Sequence, residues 1–207
     1  GSPAVNEPVG DPAVVALFGT SADPPTVGHR SLLAGLAQRF PLVLTWASDN
    51  PFKQHGAPLE LRAALLQRVV EELANPRLRL QQELSSPRAL TTLERARELW
   101  PRAELVFVVG SDLRPRIRRW YGVDAILSRC RLAVVPRSGW PLEALQLEDL
   151  QRRGGRVEVL PLQIPASASS RVRQELDPAQ VPQELWPMLR QHHLYGLAAA
   201  ADHPALR

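Results

Sequence analysis

AVVALFGTSADPPTVGHRSLLAGLAQRF, residues 13–40, reads as a strand, a stiffened loop and a helix in quick succession. The apolar run 13–18 has the length and β-branched content of a buried strand, and from Gly28 to position 39 the apolar residues recur at helical spacing. Gly19 predicts a sharp turn after the strand, and Pro24–Pro25 fix the backbone that follows. Gly28 permits close approach at the helix start, where unpaired N–H groups and the helix dipole favour an anion. Thr26 and His29, three residues apart, present their side chains to one side of that first turn. Together these residues form a donor cluster suited to a polyphosphate; alone, Thr26 would read as a helix cap and His29 as a surface residue.

The same alternation continues downstream. Strand candidates fall at 13–18, 42–47, 78–83, 104–110, 131–136 and 156–161, and helix-like segments at 28–39, 59–74, 89–99, 112–128 and 142–153. Two short helices are expected near 170–176 and 182–192. A βαβα order predicts an α/β fold, a Rossmann-like parallel sheet with helices on both faces, in a single domain. That domain is expected over 13–197, between a flexible N-terminal tail at 1–12 and a C-terminal tail at 198–207. In such sheets ligands sit beyond the carboxyl ends of the strands. The loops at 19–28, 48–58, 84–88, 110–112 and 136–141 are therefore the ones to read, joined by the segment before 170 if it folds back.

Composition narrows the classes. A chain of 207 residues with 44% hydrophobic content can bury a core without disulfides, and Cys130 is its only cysteine. A cysteine-based metal site is disfavoured, and a reducing, cytoplasmic location is expected. No apolar run is long enough to cross a bilayer, so no membrane partner is expected. The formal charge of +4 permits an anionic ligand without calling for nucleic acid. Lys53 is the only lysine among 25 basic residues, which marks it for a task suited to a compact point charge, such as meeting a phosphate. The six-residue glycine fingerprint of dinucleotide sites is absent, as is the Gly-Lys-Ser/Thr of a P-loop.

GTSADPPTVGH (19–29) resembles the Gly-Thr-Phe-Asp-Pro-Pro-His-x-Gly-His signature of the nucleotidyltransferase superfamily that transfers a nucleotide to a phosphate. It departs in carrying one extra residue at Ser21-Ala22, and in having Thr26 for the first histidine, as related adenylyltransferases do. SASSRVRQEL (167–176) resembles the family's Ser-Ser-Thr-x-Ile-Arg segment, with Ser169, Ser170 and Arg173 at the matching positions. Small hydroxyls at a helix start with an arginine one turn in make a second anion cradle. Four further stretches are similar to the bacterial nicotinate mononucleotide adenylyltransferase branch. They are SDNPFKQHGAPLELRAALLQ (48–67), VVGSDLRPRIRRWYGVDAIL (108–127), VVPRSGWPL (134–142) and VPQELWPMLRQHHLYG (181–196).

The resemblance implies roles for particular residues. Gly19, Thr20, Thr26, Gly28 and His29 would hold ATP phosphates, with Ser169, Ser170 and Arg173 closing on them. Gly110 and Asp112 would lie beside the adenosine and ribose, while Trp120 would stack on the pyridine ring and Lys53 meet the mononucleotide phosphate. Thr92 and Arg137 would complete the mononucleotide side. His29, Thr26 and Arg173 would neutralise charge on the leaving pyrophosphate, and no protein metal site is expected, because Mg²⁺ would arrive with ATP. The partners implied are ATP and a pyridine mononucleotide, with a homo-oligomer left open. SSPRALTTL (85–93) departs from the family's Ser-Tyr-Thr-x-Asp-Thr-Leu, so the acid-specific reading has an amide-specific rival, and Arg88 is a candidate cation there. A phosphopantetheine adenylyltransferase, which also carries Thr-x-Gly-His, and a non-catalytic nucleotide-binding homologue are two further rivals.

Overall fold

The structure is a computed structural model that describes residues 11–50, 54–111, 122–137, 139, 141, 144–164 and 177–197. Its elements in chain order begin with β1 (Val14–Thr20), α1 (Val27–Arg39), β2 (Leu42–Ala47), α2 (Leu59–Leu73) and β3 (Leu78–Leu80). They continue with α3 (Ala89–Leu99), β4 (Glu104–Gly110), α4 (Val123–Arg129), β5 (Arg131–Val135), α5 (Ala144–Arg152), β6 (Arg156–Val159) and α6 (Trp186–Gln191). Short 3-10 turns occupy Gln82–Leu84, Pro178–Gln180, Gln183–Leu185 and Leu194–Gly196.

All strand pairs are parallel, in the order β3-β2-β1-β4-β5-β6. This is the doubly wound arrangement predicted from the βαβα pattern. Its order reverses between β1 and β4, which opens a crevice at their carboxyl ends. The two-residue period of the strands divides the core. Ala16, Phe18, Val43, Val106 and Val108 pack with Leu32 and Leu36 of α1, Leu66 and Val69 of α2, and Leu189 of α6. Val15, Leu17, Leu44, Phe107 and Val109 face the other way, onto Leu93 of α3, Ile126 of α4 and Leu150 of α5. Burial on both faces is what makes these strands read as continuous apolar runs.

β1, β3, β5 and β6 have bounds other than the sequence reading gave, and for β1 and β3 the cause is visible. β1 runs through Gly19 to Thr20, with Gly19 opposite Trp46, so Gly19 lies in the sheet and makes no turn. Its lack of a side chain serves packing instead, since a Cβ there would lie 2.5 Å from Trp46 Nε1. The indole is buried and meets Phe107 edge-on at 6.4 Å. β3 ends at Leu80 rather than 83 because Gln82 replaces the ladder: its amide accepts from Ala47 N–H at 2.9 Å and donates to Ala47 C=O at 2.8 Å. The expected helix at 182–192 is a 3-10 turn followed by α6, and α4 begins at Val123, with 112–121 outside the described residues. Gly19→Ala is expected to destabilise the fold by about 1–3 kcal/mol, the usual cost of overpacking; a lower urea midpoint at unchanged m-value would show it.

Candidate active site

The connection between β1 and α1 lies at the point where the strand order reverses. Thr26 is the N-cap of α1 and completes a capping box with His29. Thr26 Oγ1 accepts from the His29 backbone N–H at 3.3 Å, and Thr26 N–H donates to His29 Nδ1 at 3.0 Å. The Thr26 hydroxyl also lies 3.0 Å from Nδ1. With Nδ1 occupied as an acceptor, this network assigns the ring proton to Nε2, the nitrogen on the far side of the ring from the cap. Thr26 is fully buried, so in the free protein its hydroxyl is occupied in fixing His29. The pair is joined in a capping box, with Thr26 buried as the cap and His29 partly exposed. Among the described residues nothing accepts from the Val27 and Gly28 N–H groups, the two remaining orphan donors of the first turn.

The His29 ring is held neutral. Burial first, and then the positive charge of Arg137, lowers its pKa from 6.5 to about 4. Arg137 follows β5, and its N–H donates to Ser111 Oγ at 2.8 Å, while Ser111 N–H donates to Val135 C=O at 2.9 Å. Buried Ser111 thus staples the chain after β4 to the chain after β5, next to buried Gly110. Arg137, assigned by resemblance to the mononucleotide, stands near enough to act electrostatically on His29. Beyond the carboxyl end of β5, Ile164 bridges to Arg137. Further along the chain, Glu184 binds Arg30 in the first turn of α1, at 2.9 Å.

Two residues that organise the site escaped the sequence reading. Arg62 is 1% exposed and stands on the apolar stripe of α2 with Leu65, Leu66, Val69 and Val70. It donates to the carbonyls of Ser21 (2.8 Å), Ser48 (2.7 Å) and Ala57 (2.9 Å), and to Asp49 Oδ1 (3.1 Å). One guanidinium therefore ties together the loops after β1 and β2. An arginine at an i, i+3, i+4, i+7 position of an apolar stripe was the signal available in the sequence. Asp23 is the second such residue: fully buried, it accepts from Gly56 N–H at 2.8 Å and Ala57 N–H at 3.1 Å. In the same loop Ala22 has a left-handed φ of 50°, and its methyl group is buried in the core.

Thr20 ends β1, with its C=O accepting from Ser48 N–H at 2.8 Å. Thr92 is 2% exposed, and its hydroxyl donates to Leu84 C=O, so in the free protein its side chain anchors α3 to the preceding 3-10 turn. Arg88, the N-cap of α3, is exposed. Lys53, Asp112, Trp120, Ser169, Ser170 and Arg173 lie outside the described residues. Cys130 is buried with its thiol pushed up to about 12, chiefly by desolvation, which removes it as a nucleophile. Among the described residues no three His, Cys, Asp or Glu side chains cluster as a metal would need, and no helix is long and apolar enough to cross a membrane.

The depressed pKa of His29 has a sign that can be checked. The unfolded chain takes up this proton near pH 6.5 and the folded one near 4. The stabilisation from neutral His29 is therefore complete above about 6.5 and is lost as the pH falls through that window. NMR titration of the free protein should place the His29 ring near 4. Arg137→Gln should raise that value, and a bound polyphosphate should raise it further.

Comparison with known proteins agrees with this geometry. Residues 17–175 match the cytidylyltransferase-like family. A Synechocystis protein described as "probable nicotinate-nucleotide adenylyltransferase" is 37% identical over 196 residues, covering 87% of this chain and 98% of its own length. A Thermus thermophilus protein of the same description is 30% identical with the same coverage. Among solved structures, the Plasmodium falciparum nicotinic acid mononucleotide adenylyltransferase complexed with NaAD superposes with a TM-score of 0.70. It covers 88% of this chain and 97% of its own at 16% identity, a likeness of fold alone. The chain belongs to the cytidylyltransferase-like family of this fold.

Proposed function

We propose that this protein transfers the adenylyl group of ATP to the 5′-phosphate of nicotinate mononucleotide, forming deamido-NAD and pyrophosphate. The reaction is the one for which its relatives are named. The observation that carries the reading is the N-terminus of α1 at the β1–β4 crevice. There the locked Nε2–H of His29 and the unpartnered N–H groups of Val27 and Gly28 mark one anion-binding corner.

A phosphate monoester has a second pKa near 6, so the attacking oxygen is already largely deprotonated at neutral pH and needs no general base. It forms a new bond to the α-phosphorus of ATP, and the bond from that phosphorus to the bridging oxygen of the leaving pyrophosphate breaks. The protein's task is to align two anions and to stabilise the charge that develops on the leaving group. His29 suits this task because it is a donor without a charge in the free protein, fixed in direction by Thr26. Arg137 adds fixed positive charge beside it. In this reading Arg173, Ser169 and Ser170 close on the phosphates from the other side, beside Thr20. Gly110 and Asp112 take the adenosine, while Lys53 and Trp120 take the mononucleotide. Gly19 serves by making room for Trp46. In this reading Mg²⁺ comes with ATP, where it would neutralise charge on the phosphates. A cytoplasmic location follows from this use of ATP and from the single reduced cysteine.

Pyrophosphate release from ATP with nicotinate mononucleotide, nicotinamide mononucleotide and phosphopantetheine as acceptors tests the assignment. The acid mononucleotide should give the highest kcat/KM. A preference for the amide would follow if the departure at 85–93 has changed specificity, and no release with any acceptor would refute the enzymatic reading. His29→Ala should lose about 2.7–4 kcal/mol of transition-state stabilisation, roughly 10²–10³ in kcat. Retention of full activity would remove His29 from the mechanism.

A further inference from the structure

α6 is capped at His192, and His193, at φ 52° and ψ 42°, is the left-handed residue with which a helix commonly exits. That exit does not account for a second left-handed residue two positions on. Tyr195 has φ 54° and ψ 42°, a backbone that a tyrosine keeps only where its surroundings over-determine it. Those surroundings are specific. Leu194 and Leu197 are buried in the same cluster as Leu32, Leu33 and Leu36 of α1, and Tyr195 packs against that cluster. Its hydroxyl donates to Asp23 Oδ1 at 2.7 Å, across 172 positions of sequence.

Asp23 belongs to the β1–α1 connection, three residues before the cap of α1. It is fully buried and also accepts from Gly56 N–H at 2.8 Å and Ala57 N–H at 3.1 Å, while His55 Nδ1 lies 3.5 Å from Oδ2. Pro24, Pro25 and Thr26 follow it, all buried. Two proline rings in succession leave few torsions free between Asp23 and Thr26. Thr26 in turn holds the His29 ring, its N–H donating to Nδ1 at 3.0 Å. A shift of the Asp23 carboxylate is therefore carried along a short, stiff stretch of backbone to the residue that aims His29.

We propose that Tyr195 is a positioning residue for the phosphate corner: by holding Asp23 it fixes the 23–26 backbone, and with it the direction in which His29 presents Nε2–H. The phosphate role of that corner rests on the proposed function; the clasp of Tyr195 on Asp23 does not. A packing role alone would lower stability and leave the His29 ring as it is.

Tyr195→Phe keeps the ring and removes only the hydroxyl. In wild type the imidazole nitrogen shifts of His29 should report one tautomer, with the proton on Nε2; in Tyr195→Phe they should move toward the tautomer average. Affinity for inorganic pyrophosphate, read by calorimetry, is expected to fall about tenfold, the scale of one hydrogen bond to a charged group. The kcat/KM should fall by a similar factor. Both losses should vanish when Tyr195→Phe is made in a His29→Ala background, because the effect runs through His29. Asp23→Asn, which offers one carbonyl oxygen where the carboxylate offers two, should move the His29 shifts in the same direction. A lower urea midpoint with wild-type His29 shifts and pyrophosphate affinity would overturn the proposal, as would an equal loss in the His29→Ala background. If wild type neither binds pyrophosphate nor releases it from ATP with any acceptor, the proposed function fails, and the His29 shifts decide the clasp alone.

Discussion

The buried guanidinium of Arg62 is the constraint on which the candidate site depends. A parallel sheet delivers the ends of β1 and β2 to the same edge, but it leaves the following loops to find their own partners. Those loops carry carbonyls that would otherwise be desolvated without donors, a cost of about 1–3 kcal/mol for each. Arg62 answers three of them, and Asp49 balances its charge at a position open to solvent. Arginine suits this place because its planar fork reaches several acceptors at once and keeps its charge when buried. Asp23 performs the converse service, accepting from the N–H groups of the second loop. Each loop is thereby fixed by a side chain from elsewhere in the chain, which allows both to be polar and yet ordered.

The phosphate corner follows from a different arrangement. A helix N-terminus attracts anions only through donors left unpaired, and a capping box ordinarily consumes two of them. Here the cap partner at the third helical position is His29, and the capping bond uses Nδ1 alone. The same interaction that satisfies the helix end fixes the tautomer and leaves Nε2–H as a donor. Desolvation and Arg137 keep the ring neutral in the free protein, so it does not carry an uncompensated buried cation. Helix capping, pKa and ligand donor geometry are consequences of one contact.

Much of this was legible in the sequence because it is local or periodic. Alternating apolar runs and helical stripes determined the α/β class, and the strand cores at 42–47 and 104–110 and the helix at 89–99 agree with the structure. The pairing of Thr26 with His29 was legible from spacing alone, as three residues at a helix start face one side. Gly19 was misread because a glycine after an apolar run signals a turn by local rules. Its actual reason, the Trp46 indole on the neighbouring strand, lies 27 residues away in the chain. The shortening of β3 depended on the Gln82 amide reaching Ala47, again a contact outside any local window.

The sequence by itself determined the main elements, their order, the Thr26–His29 pairing and the family, because periodicity, capping and motif spacing are properties of short segments. Tertiary structure alone decided how those segments are held. The sequence reading assigned no role to Arg62, to Asp23, or to Tyr195, whose hydroxyl donates to Asp23 Oδ1. Their meaning appears only when β1, β2 and the C-terminal turn converge. Buried charges and unpaired backbone groups must find partners wherever the fold brings them, and no local pattern in the chain records which partners those will be.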